Sequence, residues 1–255
     1  MDQPKNNAQG MNVICLYWKG DFRGRDFTEN DVVKLRETVD KHIHRPYTFY
    51  CLTNDMTIDV PAELIELKHN WPGWWSKMEL HRPDLPPGRT LYLDLDTYVI
   101  RNLSPILDYE GNLVMFDTRA SKRDQTKKAR FQRTYGVVFR YQAATMLFDP
   151  GCMEHLYDTF RANPNIFMAK YRSDQDIMGE WIPDQPTFPK EWMMKLTTGM
   201  WKRPHSDCII VTGQGRIPVD GEPAKFGDRL FRNTESIPWL EKMARGKKIK
   251  KQCNM

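Results

Sequence analysis

Two aspartates in the run LYLDLDTYVI, residues 91 to 100, have a spacing that suits a divalent cation. Leu91, Leu93 and Leu95 alternate with Tyr92, Asp94 and Asp96. That is the period of two of a β-strand, so the leucines line one face and the acids the other. Thr97 to Ile100 prolong the β-prone run. Carboxylates at i and i+2 stand about 6.6–6.8 Å apart along a strand and point the same way. Such a pair needs compensation where it leaves bulk water. Either a Lys or Arg neutralises it as a structural pair, or it converges on a hard cation whose shell is completed by substrate phosphates. The apolar strand leading into the pair favours the cation, Mg²⁺ or Mn²⁺.

A second acidic group, Ser173-Asp174-Gln175-Asp176, opens a helix-like stretch, SDQDIMGEWI. One reading is capping, with Ser173 as N-cap and both acids set against the helix dipole. The other places the acids in a site. Lys77 in WWSKMEL is either a surface lysine or a positive charge for that site. Trp18, Trp71, Trp74 and Trp75 flank expected strand ends, where a ring could stack on a base or sugar. Arg119, Lys122, Arg123, Lys127, Lys128, Arg130 and Arg133 face a single acid, Asp124, across residues 119–133. With Lys247, Lys248, Lys250 and Lys251 they form either solvated surface or contacts to an anionic partner.

The elements that must position these residues follow from periodicity. MNVICLYW reads as a first strand. Thr28, with Asp31 three residues on, caps a helix whose stripe is Val32, Leu35, Val39 and Ile43. YTFYCL and AELIEL read as strands, and the turn RPDLPPG precedes the aspartate strand. NLVMFD, YGVVFRY and CIIV are further strands, and CMEHLYDTFRAN is a helix with Met153, Leu156, Tyr157 and Phe160 on one face. Strand alternating with helix argues for an α/β sheet, mixed but mainly parallel, flanked by helices. In such sheets ligands bind beyond the carboxyl ends of the strands, where Asp94 and Asp96 lie. The expected organisation is a polar leader (1–10), one domain (11–240) and a basic tail (241–255).

Composition narrows the class. At 255 residues, 40% hydrophobic and 28% charged, the chain has the material for a globular core. The net charge of +5 suits a phosphate-bearing partner without requiring one. Five cysteines without a CxxC pair, with Cys15, Cys51 and Cys208 in apolar runs, indicate thiols in a reducing compartment. The start lacks a signal-peptide core and no run is long enough to span a bilayer, so the expected location is the cytoplasm. Neither a P-loop nor GxGxxG follows the first strand. A haloacid-dehalogenase-type phosphatase, DxDx[TV], is disfavoured by Tyr98 at the fifth position and by the absence of a later acidic pair.

WWSKMELHRPDLPPGRTLYLDLDTYVIRNLSP, residues 74–105, resembles the central block of GT-A-fold glycosyltransferases. The likeness is greatest to small bacterial and phage enzymes similar to the glycosyltransferase 8 family. Weaker echoes, including TYGVVFRY and SDQDIMGEWIPD, extend over roughly residues 11–218. The resemblance implies a GT-A-like, Rossmann-like nucleotide-diphospho-sugar transferase fold. It implies sugar transfer from a nucleotide-diphosphate sugar, a UDP-sugar favoured, with retention at the anomeric carbon. Mn²⁺ or Mg²⁺ would sit on Asp94 and Asp96. Trp18, Lys77 and Gly136 would face the donor, and Asp174, Gln175 and Asp176 the sugar and the reacting carbon. Two departures stand out. The His-Gly pair that relatives often carry after the last strand is VTGQGRIP here, which puts Gln214 or Thr212 near the third ligand position. TYGVVFRY also lacks the Asn-Ser usual before Gly136. The acceptor is a glycan or, with phage relatives in view, a hydroxylated base in duplex DNA. Rival classes are a sugar-phosphate nucleotidyltransferase, whose Gly-rich turn KGDFRGRD matches poorly, and a basic nucleic-acid-binding protein with a degenerate site.

Overall fold

The computed structural model describes residues 10–21, 27–117, 140–196 and 206–213. Residues 1–9, the basic segment 119–133, Gly136, Gln214 and the tail 241–255 lie outside the described residues.

The main sheet has seven strands in the order β3-β2-β1-β4-β7-β6-β8. They are β1 (Met11–Tyr17), β2 (Tyr47–Thr53), β3 (Glu63–Glu66), β4 (Thr90–Leu93), β6 (Leu113–Asp117), β7 (Tyr141–Phe148) and β8 (Thr187–Phe188). The first four are parallel. β7 runs antiparallel to β4 and β6, and β8 pairs parallel with β6. A smaller sheet has the order β5-β10-β9, from β5 (Thr97–Val99), β9 (Met193–Leu196) and β10 (Ile210–Gly213). The expected mixed, mainly parallel α/β architecture is what is found.

Each face of the main sheet has its own core. One contains Leu91, Leu93 and Leu95, with Val32, Leu35 and Val39 of helix α1 (Glu29–His42) packed against them. Ile106 and Leu107 of the short helix α2 (Ser104–Leu107) join them. The expected cap holds: Asp31 accepts the Thr28 N–H at 2.8 Å and its hydroxyl at 3.0 Å. The other core contains Tyr92. There it meets Trp75, Met78 and Leu80 of a 3₁₀ helix, Gly73–His81. Leu156, Tyr157 and Phe160 of α3 (Glu154–Ala162) complete it, with Ile177 and Met178 of α5 (Asp174–Trp181). Helix α4 (Pro164–Lys170) lies between those two in sequence. The alternation read from LYLDLD therefore sorts correctly onto the two faces.

One element differs. The strand expected across residues 91–100 is interrupted at Asp94–Asp96. Asp94 N–H still bonds Ala144 C=O at 2.8 Å, the last link to β7, and Thr97 N–H then bonds back to Asp94 C=O at 3.0 Å. The chain turns there and enters the second sheet as β5. The two aspartates thus occupy the passage between sheets, where the backbone is free to present side chains instead of continuing a ladder. Before β4, Gly88 sits at φ +119°, and a Cβ there would lie 2.3 Å from Gly10 C=O. The turn RPDLPPG closes onto β1 only with glycine at that position.

The 3₁₀ helix is long for its type. Every residue from Trp75 to His81 is buried, so its polar side chains need partners. Lys77 and Glu79 find them, as described below. His81 does not. It is 4% exposed, packs edge-on to Phe148 with centroids 5.9 Å apart, and neither ring nitrogen has a hydrogen-bond partner. Burial, with a smaller contribution from His155, pushes its pKa down to about 4. The unfolded chain takes up this proton near pH 6.5, the fold only near 4. Stability therefore falls as pH drops through that window, by about 3 kcal/mol in full. His81→Met should flatten the dependence of Tm on pH between 7 and 5, and an unchanged slope would refute this account. Among the described residues, no helix is long and apolar enough to cross a membrane.

Candidate active site

The site forms at the carboxyl end of β4, where the 3₁₀ helix, the turn Asp94–Asp96 and the first turn of α5 meet. Lys77 Nζ lies 2.7 Å from Asp94 Oδ1. The Tyr92 hydroxyl donates to the same oxygen. The ammonium also stands 5.5 Å from the centre of the Tyr92 ring. Burial alone would lower the pKa of Lys77. The surrounding carboxylates, Asp94 and Asp174 first and Asp96 after them, outweigh it and raise the pKa, so the ammonium stays charged. Lys77 is thus no surface lysine; its side chain is only 9% exposed.

Asp174 is 1% exposed, and its Oδ2 has no hydrogen-bond partner. Burial pushes its pKa up to about 6; Lys77 opposes that rise and Asp94 adds to it. Asp176 is buried as deeply, and burial raises its pKa too. Its Oδ2 accepts the Arg172 N–H at 3.1 Å, while Oδ1 has no partner. Ser173 occupies the N-cap position in extended conformation, yet its side chain makes no capping bond. Capping accounts for one oxygen of Asp176 and leaves the other two orphans unexplained. Two buried carboxylate oxygens without donors are costly in a fold unless something binds them. Gln175, between them, is half-buried.

Asp96 is held by its backbone: Gly213 N–H of β10 donates to Asp96 C=O at 2.9 Å. Thr212 lies opposite Thr97 across the β5–β10 pair, is fully buried, and its Oγ1 accepts Gln142 Nε2 at 3.2 Å. The structure therefore brings Lys77, Asp94, Asp96 and Asp174 into one electrostatic cluster, with Thr212 on the strand behind Asp96.

The tryptophans divide. Trp71 and Trp75 are core residues, 6% and 4% exposed, stacked on His69 and Phe160 respectively. Trp18 is half-buried just past β1, donates to Asn70 Oδ1 at 3.2 Å, and lies over Gly20. It stands at the same carboxyl end of the sheet as the cluster. Trp74 is also half-buried.

Two residues were not singled out from sequence. Tyr92 was legible in principle, since it alternates with the leucines and so shares the face of Asp94. Gln142 was not, because its partner Thr212 is distant in sequence and β7 begins at Tyr141, where the expected strand YGVVFRY ends.

Among the described residues, no three His, Cys, Asp or Glu side chains form a cage for a metal ion. The chemistry of the set still fits Mg²⁺ or Mn²⁺. Lys77 neutralises part of the charge on Asp94, as in the structural pairing the sequence left open, but the oxygens are hard, Asp174 Oδ2 has no partner, and ions of this kind keep positions for substrate phosphates and water.

No family model matches the chain, and no curated protein sequence matches it. Solved structures do. The galactosyltransferase LgtC, determined in complex with donor and acceptor sugar analogs, superposes with a TM-score of 0.59 at 12% identity, over 92% of this chain and 95% of LgtC. The bifunctional glycosyltransferase WbbM gives 0.55 at 13% identity over 95% of this chain, which spans about half (52%) of WbbM. Mouse xyloside xylosyltransferase 1 gives 0.52 at 12% identity, over 82% of this chain and 99% of that enzyme. At these identities the likeness establishes the fold, and that fold is the GT-A glycosyltransferase fold expected from residues 74–105.

Proposed function

We propose that the chain is a metal-dependent glycosyltransferase that moves a sugar from a nucleotide-diphosphate donor to an acceptor. The observation that carries this reading is the cluster of Lys77, Asp94 and Asp174, with a buried, unpartnered carboxylate oxygen, at the carboxyl end of β4 in this fold. Asp94 and Asp96 would hold Mn²⁺ or Mg²⁺, with Gln214 the proposed third ligand. When bound, the cation supplies Lewis-acid stabilisation of the charge that grows on a diphosphate leaving group. Lys77 holds positive charge in the same place. Asp174 and Asp176 offer acceptors to sugar hydroxyls, which would satisfy their orphan oxygens. Gln175 lies between them, towards the reacting carbon, in a reaction proposed as retaining. Trp18, at the end of β1, and Gly136 are the proposed contacts for the rest of the donor, a UDP-sugar.

The four described cysteines are free thiols, which supports a reducing, cytoplasmic setting. For the acceptor the support is charge alone. The net +5 and the arginines and lysines of 119–133 support the alternative to a glycan, an anionic acceptor such as duplex DNA bearing a hydroxylated base.

A thermal-shift screen tests the reading. Sugars linked to UDP, GDP, dTDP and CMP are added with and without Mn²⁺. One of them should raise Tm only when Mn²⁺ is present; a ligand at 100 times its Kd adds about 2.7 kcal/mol. No metal-dependent shift with any donor would reject the proposal. A further shift with hydroxymethylated duplex DNA that vanishes at high salt would separate a DNA acceptor from a glycan.

A further inference from the structure

We propose that Tyr92 is a positioning residue that turns Asp94 into a one-oxygen ligand for the cation; this rests on the reading of Asp94 and Asp96 as the cation site. Tyr92 is 1% exposed, and its hydroxyl donates to Asp94 Oδ1. Lys77 Nζ meets that same oxygen at 2.7 Å. Two donors, one of them charged, converge on Oδ1 from the buried side. A carboxylate held this way cannot swing to present both oxygens, and Oδ2 is left for an ion. The Asp94 side chain is 23% exposed while Lys77 is 9% exposed, so the aspartate is more open to solvent than its charged partner.

The two donors act in opposite senses on a cation. The Tyr92 hydroxyl is neutral. It fixes the plane of the carboxylate and lowers the cost of ordering it when an ion arrives. The Lys77 ammonium fixes the same plane and also repels the ion. Partners that orient a metal ligand typically account for 10–100-fold in metal affinity. Tyr92 supplies such an effect without a charge penalty. Lys77 weakens the bare site, so that ion and diphosphate, which screens the ammonium, bind together.

The test is a titration of the protein with Mn²⁺, alone and with UDP present (read against a UDP-only blank), following free ion by electron paramagnetic resonance. Each variant is measured well below its own Tm, so that lost stability does not imitate lost affinity. Tyr92→Phe keeps the ring and removes only the hydroxyl; it should weaken Mn²⁺ binding about 10–100-fold. Lys77→Met should move affinity the other way. Wild-type affinity in Tyr92→Phe would overturn the positioning role while leaving the cation site intact. A wild-type protein that binds no Mn²⁺ either alone or with UDP present, with Asp96→Ala indistinguishable from it, would overturn the cation site and this inference with it.

Discussion

Asp96→Ala is expected to leave the fold standing and to lower sugar transfer by roughly 10²-fold or more, which corresponds to about 3 kcal/mol of barrier. The fold should stand because the interaction that ties this residue to β10 uses its backbone carbonyl, which accepts the Gly213 N–H at 2.9 Å and survives the substitution. The Lys77–Asp94 pair is also untouched. What is lost, on the proposed reading, is one of the two carboxylate ligands of the cation, and with it part of the hold on the charge that offsets a developing diphosphate anion. The measurement is the initial rate of donor consumption with acceptor present, alongside Tm. A variant that transfers at the wild-type rate, or a wild-type enzyme that is indifferent to EDTA, would exclude the role given to Asp96.

Glu79→Ala should have the largest effect on stability. Glu79 is fully buried. Its Oε2 accepts the Lys68 N–H at 2.7 Å and Arg82 Nη1 at 2.8 Å, and its Oε1 accepts the His69 N–H at 3.0 Å. Arg82 itself is 5% exposed and reaches back to Glu66 C=O at 2.7 Å. One side chain therefore ties the end of β3, the segment after it and the 3₁₀ helix together. Removing it leaves two backbone donors without acceptors and a buried guanidinium whose remaining partners are Glu66 C=O and the more exposed Asp84 carboxylate, 3.0 Å away. Breaking a buried ion pair from one side costs about 3–5 kcal/mol. For a domain of this size that is a fall in Tm of roughly 6–20 °C. Because the same helix carries Lys77, Mn²⁺ affinity should also change in whatever fraction remains folded. A fall in Tm of under about 2 °C would show that the loop before the helix is held by something else.

The framework was legible because its strands and helices bury one face at a time. The stripe Val32-Leu35-Val39 and the alternation of Leu91, Leu93 and Leu95 are periodic, and both point at the core they were expected to face. β7 was not legible in the same way. All eight of its residues are buried, so it has no polar face to set its limits. The break in the aspartate strand was hidden too. Asp94 to Asp96 continue the period of two, and only the competing pairings of β4 with β7 and of β5 with β10 reveal that the chain turns between them. In the site, the residue types at 94, 96 and 174–176 were visible. Their mutual placement was not. That Lys77 would be buried against Asp94 depends on a nine-residue 3₁₀ helix that no local pattern announces. The burial of Asp174 depends on α5 docking against that helix.

The pairing of β5 with β10 has a consequence for how the protein is made. Val99 lies opposite Ile210, and Thr97 opposite Thr212. While the ribosome is still extending the chain, β1, α1, β2, β3 and β4 emerge early and have their parallel partners within the first hundred residues. The strand that clamps Asp96 emerges more than a hundred residues after β5, after Asp174 and the whole of α5. Contacts this distant in sequence form late, because the intervening loop must be closed first. A nascent chain can therefore own the parallel half of the main sheet while the turn bearing Asp94 and Asp96 is still unanchored. The turn gains its anchor only once Gly213 has left the exit tunnel, so on the proposed reading a partly made chain has no working site.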